Sequence, residues 1–247
     1  MMIAQTMKLI ASIAVLLSVG GGMAEPNMAA ELVAGHGLKN FREVEDWDSV
    51  RDAKAVPGEP RIASSGTGHI LTNVRGKRKQ QPYLITKDEF GDVEVHLEFM
   101  TPRDSNSGIY LMGRYEVQIL DSFGKSKVAY SDLGGLYQRW DPSRGEGKAG
   151  YEGVAPESNA AKAPGQWQTL DITFRAPRFD AAGKKTENAR FVTVAVNGVA
   201  VHDNVELDGP TRSHPLVGEA TRGPIALQGD HGPIAIRSLK VKVVRLD

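Results

Sequence analysis

Within the run SNSGIYLMGRYEVQILDS at 105–122, Arg114, Glu116 and Gln118 recur at every second position, with Tyr115, Val117 and Ile119 between them. Side chains of an extended chain alternate between two faces. This spacing therefore sets a guanidinium, a carboxylate and an amide side by side, while the apolar set anchors in a core. Three such groups can hydrogen-bond a hydroxyl-rich ligand such as a carbohydrate, and the carboxylate adds the capacity to move a proton. Asn106 and Ser107 lead into Gly108, a polar turn whose glycine permits close approach of backbone and ligand. Asn106 and Tyr110 thus join Gln118 as candidate ligand contacts.

A second chemical feature is His231 in the GDHG run at 229–232, at the end of an apolar stretch that closes on Gln228. A glycine-flanked histidine there can project into a cleft as acid, base or ligand, or simply bond to turn backbone. Gln228 is a candidate for positioning hydroxyls. Asp121, at the end of the 105–122 run, is a further candidate contact. Glu116, Asp121 and His231 are the side chains from which a divalent metal site could be built, but no spacing rule joins them, and the metal question stays open. Nothing in the chain calls for a nucleotide cofactor. His96 lies on the wet side of DVEVHLEFM at 92–100, where an exposed sheet position outweighs metal ligation.

These groups must be held by strands. Short alternating or β-branched runs fall at 69–74, 83–86, 92–100, 108–120, 168–175, 190–197, 199–203, 224–228 and 234–245, punctuated by glycine and proline. Asn197-Gly198 between FVTVAV and VAVH predicts a tight hairpin, because both turn positions need positive φ. Between residues 121 and 168 lies a long Gly-, Pro- and Ser-rich stretch carrying Tyr137, Trp140 and Tyr151. Loops of that length in a domain are usually functional, so Trp140 is a candidate stacking platform for a sugar ring, or a pin for the loop. Trp167 and Arg237 read as structural. The prediction is an all-β, single-domain, two-sheet antiparallel sandwich.

The gross numbers exclude several classes. Lys8, an apolar run at 9–19 and small residues before Glu25 read as a signal peptide over 1–24, leaving a domain over 25–247. The expected location is then periplasmic or extracellular, with no membrane span after cleavage. With 30 basic and 30 acidic residues the chain has no nucleic-acid footprint, and the RGKRK cluster at 75–79 reads as a solvated turn. The absence of cysteine removes disulfides and thiolate metal sites, so stability must come from packing and sheet hydrogen bonds.

Four segments in order, 105–122, NAAKAPGQWQTLDITF at 159–174, the Asn197-Gly198 hairpin and GPIALQGDHGPIAIRSLKVK at 223–242, together resemble the 3-keto-disaccharide hydrolase family. The similarity spans about residues 31–245. The departures are AELVAGHGLKNFREV, with Phe41 where the family has tryptophan, the insertion KKTENAR at 184–190, and a long, basic RGKRKQQPY. The resemblance implies a concanavalin A-like jelly roll acting on glycosides already oxidised at C3, beside an oxidoreductase, a sugar 3-dehydrogenase, that makes them.

Such a substrate changes the chemistry that the residues must perform. A C3 ketone acidifies the C2 hydrogen, so one base can remove it and the C1 aglycone can leave by elimination. Water then adds to the 2-hydroxy-3-keto-glycal, and the net result is hydrolysis. Ordinary glycosidases need two carboxylates flanking the bond. Glucanases of this fold carry an E-x-D-x-E alternation, whereas here the pattern reads Arg114, Glu116, Gln118. On this reading Glu116 is the first candidate for the base, with His231 as its rival, and Arg114 would hold a hydroxyl or steady the enolate. Arg114 beside Glu116 would also lower its pKa. A non-catalytic sugar-binding module is the alternative from another class, and an ordinary glucanase the third reading.

Overall fold

The short alternating runs become antiparallel strands in the structure, a computed structural model that describes residues 29–42, 46–73 and 83–247. In chain order the strands are β1 (Ala30–Glu31), β2 (Asp48–Ala55), β3 (Ile62–Thr72), β4 (Tyr83–Ile85), β5 (Val93–Met100), β6 (Asn106–Leu111), β7 (Tyr115–Leu120), β8 (Arg139–Trp140), β9 (Gly150–Tyr151), β10 (Gln168–Arg175), β11 (Arg178–Phe179), β12 (Lys185–Glu187), β13 (Ala189–Val196), β14 (Val199–Leu207), β15 (Ala226–Gln228) and β16 (Ala235–Val243). The signal peptide expected over 1–24 and the turn expected at 75–79 lie outside the described residues.

A large sheet runs β14-β13-β10-β5-β16-β3-β2, with β1 on β16, and a small sheet runs β4-β15-β6-β7. The two pack face to face. In β5, Val93, Val95, Leu97 and Phe99 enter the core while Glu94, His96 and Glu98 point away, as the period-two pattern requires. From the small sheet come Leu84, Ile109, Leu111, Tyr115, Val117, Ile119 and Leu227. Tyr115, Phe174 and Phe191 form a chain of aromatic contacts with centroids 5.4 and 5.1 Å apart. Each such fully buried side chain stabilises the fold by about 1.5–3 kcal/mol relative to exposure. The architecture is an all-β, two-sheet antiparallel sandwich.

Two expectations about local structure need correction. The run 108–120 is not one strand but a hairpin of β6 and β7, turning at Met112 and Gly113 with φ of 55° and 63°. The loop between the paired Leu111 and Tyr115 holds three residues, and the Arg114 N–H closes its turn on the Leu111 carbonyl at 3.0 Å. Gly113 adopts a positive φ freely; Met112 does not, so residue type gave little sign of a turn. Strands β1, β2, β8, β9, β11 and β12 and the first half of β3 were not foreseen, because their polar or glycine-containing sequences show weak alternation. The hairpin at Asn197 and Gly198 forms as expected, with φ of 51° and 81°. Arg237 pairs with Glu98 and lies 4.5 Å from the Trp167 ring centroid, so both hold the large sheet's outer surface.

Candidate functional site

The side of the small sheet turned away from the core carries Tyr83 of β4, Gln228 of β15, Asn106, Gly108 and Tyr110 of β6, and Glu116 and Gln118 of β7. The register brings them together: Tyr110 faces Glu116, Gly108 faces Gln118, and Gln228 faces Tyr83. Glu116 is 2% exposed. Gly108 makes that position possible, since a Cβ there would overlap the Glu116 carboxylate, with Cδ only 3.0 Å away. With the Gln118 amide turned to satisfy its own oxygen and nitrogen, Gln118 accepts from Asn106 at 3.0 Å. It then donates to Glu116 Oε1 at 3.1 Å and to the Ser107 carbonyl at 3.2 Å.

Burial pushes the Glu116 carboxyl up to about 8, and the nearby Asp230 carboxylate adds to the shift, while Tyr110 opposes it. The expectation that Arg114 would lower this pKa is overturned. Arg114 directly follows the Met112-Gly113 turn, and its guanidinium donates to the carbonyls of Gly218, Met112 (2.7 Å) and Val217 (3.4 Å). It ties the segment before β15 to the hairpin and does not join Glu116 and Gln118.

Three phenols surround the carboxyl. The Tyr110 hydroxyl is fully buried, close enough to Glu116 and Tyr83 to feel both, yet makes no aligned hydrogen bond. Its pKa is raised, by burial first and by the Glu116 charge next. Tyr83 meets Tyr110 edge-on at 5.5 Å, donates to the Ser213 carbonyl, and is pushed up to about 12, chiefly by burial. Tyr137 donates its backbone N–H to the Glu116 carbonyl at 3.1 Å, and its phenol pKa is raised by burial and by Glu116. Thr211 Oγ1 accepts from the Glu116 N–H at 3.1 Å, fixing the strand from the other side.

The turn after β15 completes the site. His231 Nδ1 lies 2.5 Å from Asp230 Oδ1, which leaves Nε2 unengaged on a half-exposed ring. Asn73, buried, donates to the carbonyls of Gly229 (2.8 Å) and Gly232 (2.9 Å) and accepts from Ile234 N–H at 2.7 Å, so the turn is held at both ends. Gly232 sits against Asn106 and Ser105, where a Cβ would approach the Asn106 nitrogen at 2.7 Å. That contact brings the His231 turn to the Asn106 end of β6.

Trp140 is 46% exposed, with the Arg212 guanidinium stacked 3.9 Å from its ring centroid. Arg212 also donates its N–H to the Gln138 carbonyl at 2.8 Å and acts electrostatically on Tyr137. Arg212 and Trp140 therefore form a rim beyond Tyr137. Asp121 accepts from the Asp104 N–H at 3.0 Å and caps the turn entering β6, a structural position. Among the described residues no three His, Asp or Glu side chains converge to hold a metal ion, so Glu116, Asp121 and His231 do not form a ligand set.

Of the residues named from sequence, Asn106, Tyr110, Glu116, Gln118 and Gln228 share one surface and His231 adjoins it; Arg114 and Asp121 stand apart. Tyr137 was named among the loop aromatics; Asp230, Tyr83, Arg212 and Asn73 were missed. Asp230 was legible as the neighbour of His231, and Tyr83 from alternation in its short strand; the others are placed by loops and carried no periodic signal.

Residues 29–242 match the 3-keto-alpha-glucoside-1,2-lyase-like domain model. No curated protein sequence matches the chain. Two solved structures from Parabacteroides distasonis ATCC 8503, both provisionally described as glycosyl hydrolases, are similar. One is 26% identical with a TM-score of 0.63, covering 87% of this chain and 84% of that one. The other is 20% identical with a TM-score of 0.54, covering 88% of this chain and all of that one, and it shows the shared fold. No described helix is long and apolar enough to cross a membrane. The family match takes in the whole small sheet and the His231 turn, and the chain belongs to the 3-keto-alpha-glucoside-1,2-lyase-like domain family.

Proposed function

We propose that this carbohydrate-active protein cleaves glycosides whose sugar is already a ketone at C3, by elimination of the C1 substituent and hydration of the resulting 2-hydroxy-3-keto-glycal. The observation that carries the reading is that, among the described residues, the outward side of the small sheet buries one carboxyl, Glu116, set among phenols and amides. A two-carboxylate glycosidase needs a matched acid and a base or nucleophile on opposite sides of the bond. Here the nearest second carboxylate, Asp230, is engaged by His231 at 2.5 Å. Family membership and the glycosyl hydrolase description of a 26% identical structure support the same class.

In this reading residues 1–24 are a leader, the protein works in the periplasm or outside the cell, and a sugar 3-dehydrogenase supplies its substrate. The test is incubation of purified protein with a 3-keto-disaccharide and with its unoxidised parent, following free sugar and ultraviolet-absorbing enone. Turnover of the 3-keto sugar alone is the expected result. Turnover of the parent alone would sink the reading, and binding without turnover of either would make the protein a sugar-binding module.

A further inference from the structure

Glu116 is faced by Tyr110 from β6, Tyr83 from β4, Tyr137 from the loop after β7 and Asp230 from the turn after β15, with Gln118 beside it on its own strand. None of these is a cation. Arg114 is held by three carbonyls, and Arg212 lies toward Tyr137. A carboxyl in such surroundings keeps its proton at neutral pH, because the charged form would lose hydration and face another negative charge. Gln118 donates to Oε1, which leaves the carboxyl O–H to be given outward. Next to it the buried Tyr110 hydroxyl lies within reach of the Glu116 carboxyl and of Tyr83 without an aligned hydrogen bond to either. Buried polar groups are normally paired, so an orphaned donor beside a protonated acid is a place made for an oxygen that arrives with the ligand.

The proton acceptor must then come from elsewhere. His231 has Nδ1 on Asp230 and Nε2 open, the arrangement that fixes an imidazole so that one nitrogen can take a proton. We propose that Glu116 and Tyr110 together donate to the C3 oxygen as it gains negative charge, and that His231, positioned by Asp230, removes the C2 proton. This rests on the 3-keto-glycoside reading. The C2–H bond breaks toward His231 Nε2 and its electron pair forms the C2–C3 double bond of an enolate on the C3 oxygen. The pair then returns, restoring the C3 ketone and forming C1–C2 unsaturation as the C1–O bond breaks. The proton held by His231 passes to the departing oxygen, so no outside oxidant or reductant is needed.

The test follows C2 hydrogen–deuterium exchange and aglycone release from a 3-keto-disaccharide in deuterated buffer across pH 5.5 to 9.5. Wild-type protein should lose activity as pH rises through about 8, where Glu116 gives up its proton. Glu116→Gln, which still donates, should keep exchange within about tenfold and lose that alkaline decline; His231→Ala should lose exchange by about 10²–10⁴-fold. Tyr110→Phe should lose about 10²–10³-fold in kcat. Asp230→Asn, altering a positioning residue, should lower kcat with KM unchanged. Abolished exchange in Glu116→Gln with exchange retained in His231→Ala, or a wild-type rate that climbs through pH 8, would overturn the proposal while leaving the substrate reading standing. Wild-type protein that neither exchanges nor cleaves the 3-keto sugar would overturn both.

Discussion

The Glu116 carboxylate occupies the space that a side chain on Gly108 would need. The two residues lie on adjacent strands of one hairpin, where Gly108 pairs with Gln118 and Glu116 with Tyr110. Gly108→Ala should therefore displace the carboxylate without unfolding the sandwich. The expected outcome is a kcat loss of about 10²-fold, the scale of a misplaced catalytic group, with far-ultraviolet circular dichroism unchanged.

Keeping an acid buried beside Asp230 works against the fold at neutral pH. Its folded pKa is raised to about 8 from an ordinary 4.5, so its contribution is most favourable below 4.5 and declines as pH rises through 8. Glu116→Gln should raise the melting temperature at pH 8 and change it little at pH 4. Equal shifts at both values would refute the burial account.

His96 offers a case on the opposite surface. Burial lowers its pKa, but Asp171 at 2.6 Å and Glu98 at 3.4 Å outweigh this, and the net shift is upward from 6.5. The stabilisation is complete below about pH 6.5 and is lost as pH rises through the folded value. Denaturant melts of His96→Gln should differ from wild type more at pH 6 than at pH 9.

Arg114 was legible as an important residue but not for what it does. Its three carbonyl partners predict that Arg114→Lys, which keeps the charge and loses the planar fork, destabilises by about 1–3 kcal/mol while kcat stays near wild type. Thermal melts together with steady-state kinetics separate these effects, and a kcat collapse with an unchanged melt would return Arg114 to the site.

Trp140 and Arg212 stack at the rim and take no part in the bond-breaking proposed for the floor of the site. Trp140→Ala should raise KM several-fold more than it lowers kcat, with little change in melting temperature, as measured by kinetics on a disaccharide substrate. An unaltered KM would make the pair a loop pin.

The strands of the core and the polar surface of β7 were readable because period-two alternation is imposed by the pleat itself. Val93, Val95, Leu97 and Phe99 had no other face to take. The hairpin turn at Met112 was hidden because its φ is set by strand pairing rather than by residue preference. Arg114 then misled, since alternation was extended across a turn that ends it. Asp230, Arg212 and Asn73 act from turns and loops, where position depends on distant hydrogen bonds such as Asn73 to Gly229 and no local spacing reports it.

β15, only three residues long, lies between β4 and β6 and pairs with both. Tyr83, Tyr110 and Glu116 are therefore all synthesised more than a hundred residues before the strand that separates β4 from β6 and before the turn that carries His231. The carboxyl and two of its phenols are made first, and the surface they share is assembled only once β15 and the turn after it have emerged.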